Sequence, residues 1–254
     1  MIGVVPAAGA GQRIQPLGCA KELLPVGSRI VDGSERPKAV SEFLIERMIE
    51  AGATRICMVI SADKSDVMRY YADRSYAAEI FYVVQRHPQG LCDALFRAQP
   101  FVADGEPVLI GLPDTIWFPT NAYQPALAEQ SAPVNLVLFP SDSSWMFDAV
   151  NCDARDRVTS IEVKAPHPAS NWVWGALTVK GEAFPELRRL WEARQRRDEY
   201  LGTLLNAYIQ RGNMVCAHRS GETYIDVGTM EGYRRALDFL RNQTTPGNPY
   251  AKAA

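Results

Sequence analysis

Short, nearly continuous apolar runs alternate with amphipathic segments along the first half of the sequence, and this pattern constrains the fold most strongly. The apolar runs are residues 2–8, 53–61, 79–85, 108–112 and 135–139. The segments with helical spacing are residues 39–51, 66–73 and 91–101. Strands that are apolar on both faces are typical of a parallel sheet covered by helices on each side. The pattern therefore predicts an α/β fold.

The second half of the chain is less regular, but the same kinds of segment recur. The predicted strands are residues 157–164, 174–180 and 213–218, and the predicted helices are residues 186–195, 199–211 and 230–241. No linker or internal repeat divides the chain. We predict one domain over residues 1–241, in which the later half adds a lobe, and a loose polar tail over residues 242–254.

Composition limits the partners of the chain. A net charge of −2 gives no general attraction to nucleic acid, so a site for an anionic substrate needs a few locally placed cations. No apolar stretch approaches the ~20 residues of a membrane span, and the start does not resemble a signal peptide. The five scattered cysteines support neither a zinc site nor a disulfide framework. These features predict a cytoplasmic protein that binds neither nucleic acid nor membranes.

A glycine-rich loop, Gly9-Ala10-Gly11-Gln12-Arg13, follows the first predicted strand. Glycine lets backbone N–H groups approach phosphate oxygens, and Arg13 adds a fork of donors suited to a polyphosphate. A Walker loop would need Gly-Lys-Ser/Thr, and a dinucleotide fingerprint would need a helix opening where Pro16 lies. Taken alone, the loop also fits a plain turn between a strand and a helix.

Residues 9–26, GAGQRIQPLGCAKELLPV, resemble the signature of the sugar-1-phosphate nucleotidyltransferases, including the glucose-1-phosphate thymidylyltransferases and the UTP–glucose-1-phosphate uridylyltransferases. In that family a Gly-x-Gly-x-Arg loop precedes a proline, a lysine and a Leu-Leu-Pro-Val type segment. Here the spacing from Pro16 to Lys21 is shorter. A charged stretch at residues 28–36 also precedes Pro37-Lys38, where the family has a short loop.

The resemblance implies a three-layer α/β/α, Rossmann-like mixed sheet of the nucleotide-diphospho-sugar transferase type, with a small sugar-binding lobe. It implies an enzyme that joins a nucleoside triphosphate, dTTP or UTP in the family members named above, to the 1-phosphate of a hexose. Pyrophosphate would be released, with Mg²⁺ as cofactor. CTP, GTP, a cyclitol or alcohol phosphate as acceptor, and a homo-oligomeric state all stay open.

The resemblance also assigns residues to the nucleotide and the metal ion. The implied nucleotide-binding residues are Ala8, Gly9, Gly11, Gln85 and Gly90, where Gln85 would read the base with its donor and its acceptor. The implied catalytic residues are Arg13, Lys21 and Lys164. Asp114 follows a predicted strand, where α/β sheets bind ligands, and with Asp226 it would hold Mg²⁺.

The implied site for the sugar phosphate lies in the second half of the chain. Its residues are Glu162, Lys164, Asn171 and Gly175. Glu199 resembles an acidic residue that precedes a late helix of the family. Asp148 stands where the family has the glycine of a Tyr-Gly-Val segment, and this difference leaves the identity of the sugar open.

Two other functions are weighed against this one. A glycosyltransferase on a similar fold would need an Asp-x-Asp pair at a strand end, but Asp114-Thr115-Ile116 lacks the second carboxylate. A sugar-nucleotide sensor without catalysis would not need the charged residues Arg13, Lys21, Asp114 and Asp226, but the short spacing from Pro16 to Lys21 leaves this alternative open. The sequence therefore favours a nucleotidyltransferase, and neither a Gly-x-Ser-x-Gly segment nor a histidine cluster indicates a covalent or zinc mechanism.

Overall fold

A computed structural model describes residues 1–72, 74–87 and 89–244 of the protein. The strands are β1 (Ile2–Pro6), β2 (Pro25–Val31), β3 (Ser34–Ala39), β4 (Arg55–Ser61), β5 (Glu79–Gln85), β6 (Val108–Gly111), β7 (Thr115–Phe118), β8 (Val134–Pro140), β9 (Asp148–Cys152), β10 (Val158–Val163), β11 (Trp172–Val179), β12 (Val215–His218) and β13 (Thr223–Asp226). The helices are α1 (Val40–Glu50), α2 (Ser65–Ala72), α3 (Leu91–Arg97), α4 (Gln124–Ala128), α5 (Ala183–Ala193), α6 (Leu201–Gln210) and α7 (Met230–Thr244).

Nine strands of the described chain form one mixed sheet. Its order is β10-β9-β11-β6-β1-β4-β5, and β8 joins β11 to β12. Strands β6, β1, β4 and β5 are parallel, as their continuous apolar sequences predict. Strand β11 is antiparallel to β6 and β8, which makes the sheet mixed. The carboxyl ends of the four parallel strands therefore lie at one edge, where α/β sheets bind ligands.

Helices cover both faces of this sheet, so the expected three-layer α/β/α fold is confirmed. On one face, α3, α5 and α6 bury side chains such as Phe96 and Trp191 against Val4 of β1. On the other face, α1, α2 and α4 bury side chains such as Met48 against Val5 of the same strand. Successive residues of a strand point to opposite faces, which is why neighbouring valines serve the two layers. No helix of the described residues is long and apolar enough to span a membrane.

Two small antiparallel sheets lie outside the main sheet, and the sequence analysis missed both. Strands β2 and β3 form a hairpin from the charged stretch at residues 28–36. Its turn, Asp32-Gly33, has positive φ at both residues, as a two-residue hairpin turn requires. The Tyr233 hydroxyl of α7 donates to the carbonyl oxygen of Pro25 at 3.1 Å and ties the hairpin to the last helix. The second small sheet pairs β7 with β13.

Several predicted boundaries differ from the structure. The helix predicted to end at residue 101 ends at Arg97, and a 3₁₀ turn, Gln99–Phe101, follows it. Pro100 lacks the N–H that a continuing α-helix would use. Helix α7 runs to Thr244, three residues beyond the predicted domain end at residue 241. The rest of the predicted tail, residues 245–254, lies outside the described residues.

Candidate active site

Four charged side chains from distant parts of the sequence meet beyond the carboxyl edge of the sheet. Arg13 Nη2 donates to Asp226 Oδ2 at 3.0 Å, and Lys21 Nζ donates to Asp114 Oδ2 at 2.5 Å. A methyl group added at Gly228 would lie 2.9 Å from Asp226 Oδ1 and 3.1 Å from both Asp114 Oδ2 and Arg13 Nη2. The structure therefore brings together the two cations and the two aspartates that the sequence singled out.

The small sheet of β7 and β13 explains how two aspartates more than 100 residues apart become neighbours. Asp114 follows the end of β6 and directly precedes β7. In the β7–β13 pair, Asp226 is in register with Thr115, and the Val227 N–H donates to the carbonyl oxygen of Asp114 at 2.8 Å. The pairing therefore fixes both carboxylates next to each other.

The two ion pairs set the charge states of the site. Burial lowers the pKa of Lys21, but the negative charges of Asp114 and Glu22 outweigh it, so the pKa of Lys21 lies above its ordinary value. Burial raises the pKa of Asp114, but the Lys21 ammonium outweighs it, so that pKa lies below its ordinary value. Burial and the charge of Asp114 together raise the pKa of Asp226. Lys21 and Asp114 are therefore both charged near neutral pH.

The donor set fits Mg²⁺ better than a transition metal. No group of three or more His, Cys, Asp or Glu residues that could hold a metal ion occurs in the part of the chain that the structure describes. Mg²⁺ does not need such a cage, because it binds through one or two carboxylates, substrate phosphates and waters. Asp114 and Asp226 would supply those carboxylates.

The glycine-rich loop lies directly against the Lys21 side chain. Gly11 has φ +65°, and a Cβ there would lie 2.8 Å from Lys21 Cδ, so this position requires glycine. Ala8 is buried below the loop, whereas Gly9 is exposed. The loop therefore places an exposed backbone turn beside Lys21 and Arg13.

The residues predicted to read the base lie at the end of β5 and the start of α3. Gln85 is 2% exposed, and its Nε2 donates to Asp93 Oδ2 at 2.5 Å. Asp93 also accepts from Arg97 Nε at 3.0 Å, so the Gln85 amide is part of a buried polar group that the sequence did not reveal. A base contact by Gln85 stays a prediction.

Gly90 permits a close approach of two chain segments. It has φ +91°, and a Cβ there would lie 2.8 Å from both the Cα and the carbonyl oxygen of Glu199. The Leu91 N–H donates to that same carbonyl oxygen at 2.9 Å. The predicted residues Gly90 and Glu199 are thus in contact.

The residues predicted to bind the sugar phosphate are more dispersed. Lys164 is exposed, and its Nζ lies 4.7 Å from the centroid of the Tyr200 ring, next to Glu199. Glu162 Oε2 accepts from Asn151 Nδ2 and from the Ala169 N–H, both at 2.9 Å. Of the contacts described, none joins Glu162 or the exposed Asn171 to the four charged residues, and their role stays a prediction.

Tyr224 is a buried residue of β13 whose ring packs against those of Phe139 and Phe147. Burial raises its pKa well above the ordinary value, and the negative charges of Asp226, Asp114 and Asp148 raise the pKa further. A Cβ at Gly175 would lie 2.3 Å from the Tyr224 ring, which makes Gly175 a packing position. Sequence reasoning missed Tyr224, although it precedes Asp226 by two residues.

Asp148 is buried at the start of β9. It is 7% exposed, and its Oδ2 accepts from Trp174 Nε1 at 3.3 Å. Burial raises the pKa of the Asp148 carboxyl. A buried acid therefore occupies the position where the resemblance implies glycine.

The family model described as nucleotidyl transferase matches residues 2–243, nearly the whole chain. The chain belongs to the nucleotidyl transferase family. Two relatives of this nucleotidyltransferase are named for the two activities that the sequence suggested. The glucose-1-phosphate thymidylyltransferase of Neisseria meningitidis is 25% identical over 95% of the chain and 83% of its own length. The UTP–glucose-1-phosphate uridylyltransferase of Haloferax volcanii is 24% identical over 96% and 98%.

Solved structures support the fold of this nucleotidyltransferase. A Bacillus anthracis structure assigned as a glucose-1-phosphate thymidylyltransferase, in complex with sucrose, gives a TM-score of 0.81 at 22% identity and covers 99% of both chains. A UTP-bound UGPase from Acinetobacter baumannii gives a TM-score of 0.76 at 17% identity, over 97% of this chain and 94% of that one. The mixed sheet and its helical layers are therefore those of known nucleotidyltransferases.

Proposed function

We propose that this nucleotidyltransferase condenses a nucleoside triphosphate with a sugar 1-phosphate to give a nucleoside diphosphate sugar and pyrophosphate. The observation that carries the proposal is the meeting of Arg13, Lys21, Asp114 and Asp226 beside the glycine-rich loop. The names of the two relatives support the same reaction. Both reactants are anionic, so such a site has to neutralise charge and align two phosphates.

Each charged side chain takes one part of this task. Arg13 and the loop amides would hold the β- and γ-phosphates, and Lys21 would neutralise the charge that develops on the α-phosphoryl group. Lys164 would orient the sugar phosphate whose oxygen attacks the α-phosphorus in line. Mg²⁺, held by Asp114 and Asp226, would supply neutralisation of the phosphate oxygens. The bond to pyrophosphate then breaks on the far side, without a covalent enzyme intermediate.

The ion pairs make nucleotide and metal binding depend on each other. Arg13 and Lys21 now donate to the same carboxylates that would hold the metal ion. If those carboxylates held a divalent ion instead, Arg13 and Lys21 would become available to phosphate oxygens. Thermodynamic linkage then requires that nucleotide strengthens metal binding by the same factor as metal strengthens nucleotide binding.

Finer assignments extend the proposal. We propose dTTP or UTP as the nucleotide and a hexose 1-phosphate as the acceptor, with Gln85 and Gly90 near the base. Glu162 and Asn171 would contact the sugar. A cytoplasmic location is supported by the five cysteines, all of which are free thiols. Light scattering of the purified protein measures whether it forms a homo-oligomer.

A matrix of substrates tests the function. The four ribonucleoside triphosphates and dTTP are each mixed with hexose 1-phosphates and Mg²⁺, and pyrophosphate is measured together with the nucleotide sugar. We expect equimolar release of both products for one pyrimidine nucleotide, and loss of both with Asp226→Asn. Pyrophosphate without a nucleotide sugar, or neither product from any pair, would contradict the proposal.

A further inference from the structure

An ammonium group beneath the glycine-rich loop binds two of its main-chain carbonyl groups. Lys64 Nζ lies 2.7 Å from the carbonyl oxygens of both Ala7 and Gly9. The same nitrogen lies 2.9 Å and 2.8 Å from the two carboxylate oxygens of Glu22. Lys64 is 8% exposed and Glu22 is fully buried, so water competes little for these contacts. All three N–H donors of the ammonium are thus directed at protein acceptors.

These contacts determine which way the loop amides point. In a planar trans peptide, the carbonyl group and the N–H of the next residue point in opposite directions. Because the Ala7 and Gly9 carbonyls face Lys64, the N–H groups of Ala8 and Ala10 face away from it. Ala10 is exposed and Ala8 is 2% exposed, and no hydrogen bond described for the chain uses the N–H group of either residue. Two free amide donors on one turn suit a phosphate oxygen.

Glu22 connects the same lysine to the segment that carries Lys21. Glu22 follows Lys21 in a 3₁₀ turn, Lys21–Leu23, and the Ser41 hydroxyl donates to its carbonyl oxygen at 2.7 Å. Lys64 therefore links the loop on one side to the turn that presents Lys21 on the other. A buried ion pair contributes little net stability, because the cost of removing both charges from water offsets their attraction. Its geometry is better explained by the two segments that it joins.

We infer that Lys64 is a positioning residue of the triphosphate site. It orients the amides of Ala8 and Ala10 and, through Glu22, fixes Lys21 relative to them. The inference rests on the proposed function for assigning the loop to a triphosphate. Lys64 itself touches neither the phosphates nor the metal ligands, so it acts only through the main chain and Glu22.

The test uses inorganic tripolyphosphate with Mg²⁺ as a probe, because this ligand needs neither base nor sugar. The variants are Lys64→Met and the double variant Lys64→Met/Glu22→Gln, which leaves no unpaired buried charge. The matched control is Arg55→Met. Arg55 lies at the opposite end of β4 from Lys64. Its Nη2 also donates to a carboxylate and to a main-chain carbonyl group, namely to Glu106 Oε2 at 2.5 Å and to the carbonyl oxygen of Phe101 at 3.1 Å.

Calorimetry measures probe binding, and hydrogen exchange measures protection of residues 7–24 by the probe. We expect the double variant to bind tripolyphosphate about 10-fold or more weakly, since both amides and Lys21 lose their alignment. The probe should no longer protect the loop amides in that variant. The KM for the nucleotide should rise by a similar factor, the KM for the sugar 1-phosphate should stay within about 2-fold, and Arg55→Met should behave as wild type.

Several results would overturn the inference. These are normal tripolyphosphate binding by a folded double variant, an equal rise of both KM values, and no binding of the probe by wild type. If both methionine variants fail to fold, Lys64→Arg replaces them. The planar guanidinium is larger than an ammonium and holds its donors in a different geometry, so it should shift the two carbonyl groups, and normal binding by that variant would also overturn the inference. A further outcome separates the two proposals. If wild type makes no nucleotide sugar but binds the probe, and the Lys64 variants no longer bind it, the proposed function fails and the positioning role of Lys64 stands.

Discussion

Replacing Lys21 by methionine should separate two effects that most active-site substitutions combine. Methionine keeps the length and apolar stem of the side chain but removes the ammonium that now binds Asp114 at 2.5 Å. The Lys21 and Asp114 side chains are only 15% and 13% exposed, so solvent screens the contact weakly. A hydrogen bond to a charged group contributes about 1.5–3 kcal/mol. The Lys21 ammonium competes with the metal ion for Asp114. Removing the ammonium should therefore tighten Mg²⁺ binding about 10-fold or more in the absence of nucleotide.

The same substitution should lower turnover by about 100-fold or more, because charge on the α-phosphoryl group loses its counter-ion. Calorimetric titration with Mg²⁺ measures the first effect, and pyrophosphate release measures the second. Lys38→Met is the matched control, since Lys38 Nζ also donates to a carboxylate, Glu46 Oε2, at 2.5 Å, but on the hairpin side of α1. That control should change neither quantity by more than about 2-fold.

Two results would contradict this prediction for Lys21→Met. If Lys21→Met binds Mg²⁺ no more tightly than wild type, then Asp114 does not hold the ion or Lys21 does not compete for it. If turnover stays near normal while Mg²⁺ binding tightens, Lys21 blocks metal binding but has no part in the transition state. Only tighter metal binding together with slow turnover agrees with the proposed mechanism.

Three further predictions concern other parts of the site and the fold. Gly90→Ala should lower the free energy of unfolding by about 1–3 kcal/mol and raise the KM for the nucleotide, because its backbone conformation (φ 91°, ψ 179°) suits only glycine and Glu199 blocks a Cβ. Gly212→Ala is the control, because Gly212 has φ +85° but open space around it. In urea unfolding it should lower the free energy of unfolding less than Gly90→Ala does, and it should leave the KM for the nucleotide unchanged. Asp148→Gly should alter the ranking of hexose 1-phosphates by kcat/KM, with the nucleotide KM constant; an unchanged ranking would remove Asp148 from the acceptor site. Burial lowers the pKa of His218 from 6.5, so the unfolded chain takes up a proton before the folded protein does as pH falls. Wild type should therefore lose more stability than His218→Gln between pH 7.5 and 5.5, and equal losses in urea titrations would contradict this.

Local sequence patterns determined most of the main sheet. Strands β1, β4, β6 and β8 differ from their predicted ranges by one or two residues, because a strand buried on both faces has to be apolar throughout. The edge strand β5 coincides with its predicted range. The hairpin of residues 25–39 was missed, although Asp32-Gly33 is a strong turn signal. The residues on either side of the turn mix charged, polar and apolar types and are largely exposed, so they lack the regular apolar alternation that reveals a strand.

For the candidate site, the sequence indicated the chemistry of the residues but not their contacts. The glycine-rich loop, Arg13 and Lys21 lie within a few residues of one another, so together with the family resemblance the sequence indicated an anion site there. The approach of Asp226 to Asp114 depends on the register of β7 with β13, and the contact of Lys64 with the loop depends on where β4 ends beside β1. Local residue types reflect local backbone geometry and burial, whereas register between strands far apart in sequence is fixed only when the whole core packs. The sequence alone therefore determined which groups could bind a triphosphate, and the tertiary structure decided which of them meet.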